Sequence, residues 1–245
     1  MKKIMFAAAV IAAGVAVAEG LVSTDIVGYA ESNLRKGATM LTPQFVSVDG
    51  AATIALDTLK PVGTSVDTEG GVNIQVLDSY GVTVSQYLWI DWSADDDIVG
   101  WCDGSFNLVK NITFEPGQGL WVQGTSADAA VQSVGKVGTA DVTVQLRKGA
   151  TATGNPFPVA ISLQDIVPVG TGVDTEGGVN IQVLDSYGVT VNQYLWIDWS
   201  ADDDIVGWCD GSFNLVNGVE FAPGQGLWVQ GTSSDAYLRF PAPEL

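Results

Sequence analysis

Apolar and polar residues alternate along most of this chain, the pattern of strands that bury one face. Val72, Ile74 and Val76 alternate with Asn73 and Gln75. Asp78-Ser79-Tyr80-Gly81 reads as a turn. After it, Val82, Val84, Leu88, Ile90 and Trp92 share the even positions of a long second strand, the positions expected to face the core. Asp103-Gly104 marks another turn. Pro116-Gly117-Gln118-Gly119 leads into a strand with Leu120 and Val122 on one face, and residues 141–146 alternate again. Only residues 56–59 and 163–166 have the spacing of short helical turns. Many short strands between turn signals predict an all-β chain, each unit an antiparallel β-sandwich or partly closed barrel.

The pattern is written twice. Residues 66–109 recur as 173–216, at an offset of 107, with one difference in 44 residues, Ser85 against Asn192. Pro116 to Gln123 recurs as Pro223 to Gln230. Arg35-Lys36-Gly37-Ala38-Thr39 recurs as Arg147-Lys148-Gly149-Ala150-Thr151 at an offset of 112, so the first copy holds about five extra residues between Phe45 and Leu56. A period this long is no solenoid, whose units run to roughly 20–50 residues. Each copy is large enough for a small domain. We therefore expect two tandem β modules, 19–138 and 139–245.

Residues 1–18 read as a signal peptide. Lys2 and Lys3 precede an apolar run, and Ala16-Val17-Ala18 offers a small-x-small cleavage pattern. The run is too short for a membrane span. Its removal leaves 8 basic against 28 acidic side chains, a net charge of −20. That charge repels phosphate backbones and argues against nucleic acid as a partner. It suits a soluble protein outside the membrane, at the cell surface, in the medium or in the periplasm.

Asp25-Ile26-Val27-Gly28-Tyr29 follows closely on the leader; a Phe-containing segment and Pro-Gly-Gln-Gly before an aromatic strand come later. Together these resemble a group of secreted β-repeat proteins of Verrucomicrobiota-type bacteria. The resemblance spans most of the mature chain. It implies export and β architecture and carries no activity.

The absence of His from the sequence removes the usual base at neutral pH, the Ser-His-Asp and Cys-His triads, and every His-based zinc site. Cys102 and Cys209 hold equivalent positions and cannot make a four-thiolate site. As the same point in two modules they are not expected to bond to each other, since a disulfide needs Cα atoms within about 7 Å. Neither Pro-Gly-Gln-Gly opens a helix, so neither is a phosphate cradle. A carboxylate pair drawn from Asp91, Asp95, Asp96, Asp97 and Asp103 is the remaining catalytic option. Nothing in their spacing separates acid from base, and no catalytic residue is assigned. Asp91, Asp95, Asp96 and Asp97, with Asp198, Asp202, Asp203 and Asp204, also suggest calcium, which takes oxygen ligands from loops. The competing reading is a solvated acidic turn that keeps a sheet edge from pairing. No other cofactor is indicated.

The eight Trp fall into four pairs at offset 107. If even positions face the core, Tyr87 and Trp89 face outward, as Trp121 does opposite Leu120 and Val122. Tyr87, Trp89 and Trp121, with Tyr194, Trp196 and Trp228, are then candidates for an aromatic surface, provided no bulge shifts the register. Such residues pack under a loop or against the neighbouring module, or anchor a protein interface, or stack on sugar rings. We rank these readings in that order. The expected function is that of a secreted, non-enzymatic structural or surface-interaction protein whose partner is itself or another surface protein. Carbohydrate binding is the alternative, and a carboxylate-based glycoside hydrolase comes last.

Overall fold

The computed structural model describes residues 26–48, 51–63, 66, 71–93, 98–124, 129–173, 178–200, 205–231 and 235–244. The expected signal peptide lies outside them. The chain is all-β and antiparallel. The first copy supplies β1 (Val27–Asn33), β2 (Gly37–Leu41), β3 (Phe45–Val46), β4 (Ile54–Ala55), β5 (Leu59–Val62), β6 (Val72–Leu77), β7 (Thr83–Trp92), β8 (Ile98–Cys102), β9 (Thr113–Phe114), β10 (Leu120–Gly124) and β11 (Ala130–Val137). The second supplies β12 (Val142–Gln145), β13 (Gly149–Gly154), β14 (Ile161–Ser162), β15 (Val167–Gly170), β16 (Val179–Leu184), β17 (Thr190–Trp199), β18 (Ile205–Cys209), β19 (Glu220–Phe221), β20 (Gly226–Gly231) and β21 (Ala236–Phe240). Two 3-10 turns, Leu56–Thr58 and Leu163–Asp165, stand where the spacing predicts helical turns.

Each copy builds an open five-stranded sheet, in the order β2-β10-β6-β7-β8 or β13-β20-β16-β17-β18. A smaller sheet gathers on the last strand: β11 pairs with β1, β3 and β5, and β21 with β12 and β15. The apolar face of the large sheet packs on the smaller one, which makes a sandwich. In the first copy Val72, Ile74, Trp101, Leu120 and Val122 meet Leu59 and Val131. Val179, Ile181, Trp208, Leu227 and Val229 meet Ile166 and Leu238 in the second. The five extra residues of the first copy accompany β3, which runs beside Val137 and Lys136 and has no strand counterpart among the described residues of the second.

The predicted faces of β7 are reversed over most of its length. Val76 pairs with Ser85 but Leu77 with Thr83, so a bulge inserts Val84 and inverts the parity that follows. Tyr87 stands opposite Ile74 and turns inward, edge-on to Phe114 at 6.4 Å. Trp89 turns inward too, edge-on to Trp101 at 5.4 Å. Tyr194 and Trp196 repeat this against Phe221 and Trp208. Val82 and Val84, expected in the core, are exposed. Large rings bury more apolar area than Val does, so the register that takes the aromatics inward is the more stable one.

Ile90 nonetheless ends fully buried, on the outer face. The segment after β8 folds back over it. Cys102 pairs with Leu108, Val109 donates its N–H to Trp101 O at 2.9 Å, and the Phe106 ring lies tilted against Trp92 at 5.5 Å. Gly100, opposite Ile90, makes room: a Cβ there would sit 3.1 Å from Leu108.

Candidate functional site

The two modules dock through equivalent residues. Leu41 bridges Gln225, and Gln118 bridges Thr153. Gly119 donates its N–H to Ala152 O at 3.0 Å, Thr42 donates to Gly224 O at 2.9 Å, and the buried Thr153 hydroxyl donates to Gly117 O at 2.7 Å. Both Pro-Gly-Gln-Gly segments therefore reach into the opposite module. Gly117 and Gly224 take positive φ, as the turn demands. Gly119 and Gly226 do not, and are needed for close approach instead. A Cβ on Gly119 would lie 2.5 Å from Thr153 N, and one on Gly226 would lie 2.5 Å from Met40 C.

The same docking lays the β6–β7 turn of each module on the other. Ala38 donates its N–H to Ser186 O, and Ala150 donates to Ser79 O, both at 3.1 Å. The Arg35 guanidinium donates to Leu184 O at 3.3 Å and that of Arg147 to Leu77 O at 3.2 Å. Each turn is held by its own Asp. Asp78 Oδ1 accepts from the N–H of Tyr80 and Val82, and Asp185 from those of Tyr187 and Val189, at 2.8 and 2.9 Å in each.

Two shallow, open clefts result. One, of about 370 Å³, is lined by Gly37, Ala38, Asn73, Trp121, Gln123 and Gly124 of the first module and by Ser186 and Tyr187 of the second. Its counterpart, of about 390 Å³, joins Gly149, Ala150, Trp228, Gln230 and Gly231 to Ser79 and Tyr80. Tyr80 and Tyr187 are each 85% exposed at the turn tips. Behind Trp121 runs an amide ladder. Asn73 donates to Gln123 Oε1 at 3.1 Å, Gln75 donates to Asn73 Oδ1 at 3.1 Å, and Thr83 donates to Gln75 Oε1 at 2.9 Å. In the second module Thr190 donates to Gln182 at 3.1 Å, while Asn180 Oδ1, buried behind Gln230, has no hydrogen-bond partner.

The aromatic candidates thus divide. Trp121 and Trp228 lie on the outer face, in the clefts, whereas Tyr87, Trp89, Tyr194 and Trp196 belong to the cores and form no common surface with them. The sequence reading missed Tyr80, Tyr187 and the amides. A large aromatic at the tip of a turn, where small polar residues are usual, is the signal that could have found Tyr80 and Tyr187; the amides carry none.

Of the candidate calcium ligands, Asp91 and Asp198 are described, and each accepts the N–H two residues on, at 3.2 Å. Asp95, Asp96, Asp97, Asp202, Asp203 and Asp204 lie outside the described residues. Among the described residues no three His, Cys, Asp or Glu side chains gather as a metal site would need. No family model, curated protein or solved structure matches the chain.

Cys102 and Cys209 are free and buried. Burial first, and then the charge of Asp103 or Asp210, pushes each thiol upward from its ordinary value. Asp103 holds the covering loop: its Oδ1 accepts from Ser105 N–H at 2.8 Å and from Asn107 N–H at 3.0 Å. These bonds, that from Asn107 foremost, lower its carboxyl below the usual range. A lowered value means that the bonded carboxylate stabilises the loop fully above the ordinary carboxylate range. That support is lost as pH falls through the lowered value. Relative to the urea-unfolded chain at the same pH, labelling with 4,4′-dithiodipyridine should therefore be strongly slowed in the native protein at neutral pH and less slowed in strong acid. Asp103→Ala, Asp210→Ala should label rapidly throughout. Native labelling as fast as that of the urea-unfolded chain would show that the loop does not cover the thiols.

Proposed function

We propose that this is a secreted, non-enzymatic surface-interaction protein that binds saccharide in the two clefts at its module junction. The observation behind the proposal is the pairing of a Trp ring with an exposed Tyr and a Gln side chain in each cleft, the Gln of the first cleft being held by Asn73. Flat rings offer apolar area to the C–H face of a sugar ring. Amides present both donors and acceptors to its hydroxyls. A few oriented polar groups within a concave, partly aromatic lining are what small-ligand sites have in common.

The test is retention of the purified mature protein on insoluble polysaccharides, beside the variant Trp121→Ala, Trp228→Ala. Retention of the wild type and at least tenfold weaker retention of the variant, with an unchanged far-UV spectrum, is the expected result. Equal retention of the two would remove the clefts from consideration. Self-association, the second reading, draws on the exposed Val82 and Val84 with Val189 and Val191. Sedimentation at several concentrations separates it: a mass that rises with concentration, and falls when these four are made Thr, would favour it.

A further inference from the structure

The two clefts are not halves of one site. No described residue lines both, and each has its own Trp, Tyr and Gln. Trp121, Gln123 and Tyr80 correspond to Trp228, Gln230 and Tyr187 at the repeat offset, and Gly37 and Ala38 to Gly149 and Ala150. The bonds that lay each turn on the other module match to within 0.1 Å, Ala38–Ser186 with Ala150–Ser79 and Arg35–Leu184 with Arg147–Leu77, while Asn73 joins the first lining and its counterpart Asn180 does not join the second. With Trp, Tyr and Gln shared and one Asn different, the two clefts should bind the same class of ligand with similar intrinsic affinities.

The linings also limit the ligand. Among the described residues no charged side chain lines either cleft. The nearby Arg35 and Arg147 are turned to backbone carbonyls. The chain as a whole carries a net charge of −18, which opposes the approach of a polyanion. What remains is an uncharged, hydroxyl-rich chain.

We infer that the protein is bivalent for neutral polysaccharide, each cleft holding a separate segment, so that one molecule joins two glycan chains. This rests on the saccharide reading above. The duplication then has a physical consequence. A second engagement on the same surface becomes intramolecular, and avidity exceeds single-site affinity by about 10²–10⁴-fold without any new contact. Each cleft also takes lining from both modules, so a bound ligand holds the two together.

Titration calorimetry with cellohexaose, mannohexaose and xylohexaose, set beside the matching insoluble glucan, mannan and xylan, tests this. The variants are Tyr187→Ala, Tyr80→Ala and the pair, chosen because both side chains stand exposed at turn tips and their loss leaves the cores intact. The wild type should bind two hexasaccharides per chain with similar affinities and should cross-link and sediment the soluble polymer of the same sugar. Either single variant should bind one, lose cross-linking, and fall about 100-fold in retention on the insoluble polymer. The double variant should bind none. One hexasaccharide per wild-type chain, or cross-linking that survives Tyr187→Ala, would overturn bivalence while leaving saccharide binding in place. Binding confined to an anionic glycan such as alginate would overturn the neutral class alone. No binding to any glycan would remove this inference together with the reading beneath it.

Discussion

Gly119→Ala combined with Gly226→Ala should unfasten the two modules. Each new methyl would stand 2.5–2.6 Å from backbone atoms of the opposite module, at Ala152 and Thr153 in one case and at Met40 and Leu41 in the other. Backbone in a strand cannot rotate aside as a side chain does, so the strands must separate. Overpacking of this kind costs about 1–3 kcal/mol per site. Against it stands a gain of about 0.4–1 kcal/mol from the stiffer unfolded chain, and the clash wins. Urea unfolding followed by Trp fluorescence should show a lower midpoint, with one transition giving way to two as the modules lose their mutual support. Gly104→Ala is the control. A methyl there has nothing within 4 Å and should change stability by less than about 0.5 kcal/mol. If the double variant unfolds like the control, the junction is not closed as described, and the clefts built on it fall too.

That pair of glycines also shows where legibility in the sequence stops. The alternation of Val72, Ile74, Leu120 and Val122 was readable because a strand's period reports its buried face directly, and those residues are all buried. The 3-10 turns at Leu56 and Leu163 were readable for a similar local reason. The faces of Tyr87 and Trp89 were not, because one bulged residue, Val84, inverts everything after it, and nothing in Thr83-Val84-Ser85 announces a bulge. The junction was hidden for another reason. Pro-Gly-Gln-Gly reads as a turn into a strand, which it is, but its last glycine answers to a backbone more than thirty residues away in the other module. Trp121 faces outward from the buried Leu120 and Val122, as the alternation predicts. Its companion Tyr187 comes from the other copy, across a contact that only the folded pair creates.

Trp101→Ala should have the largest effect of any single substitution within a module. Trp101 lies almost fully buried between the sheets, and its indole N–H donates to Leu59 O at 2.7 Å, tying the edge of the large sheet to the smaller one. Trp208 does the same with Ile166 O at 2.9 Å. Truncating a buried Trp costs about 3–5 kcal/mol, a large fraction of the total stability of a small domain. Trp101→Phe keeps most of the ring but strands a buried carbonyl, for about 1–3 kcal/mol. Trp89→Ala should fall between Trp101→Ala and the outer-face variant Trp121→Ala. Trp89 is half-buried, and its loss removes an edge-to-face contact of about 0.5–1.5 kcal/mol in addition to its buried area. Trp121→Ala should cost least, because one side of its ring is open to the cleft. Chemical denaturation of the four variants gives the ranking directly. Were Trp121→Ala to destabilise more than Trp89→Ala, the faces assigned to β7 and β10 would be exchanged, and the aromatic surface would have to be sought on Tyr87 and Trp89 after all.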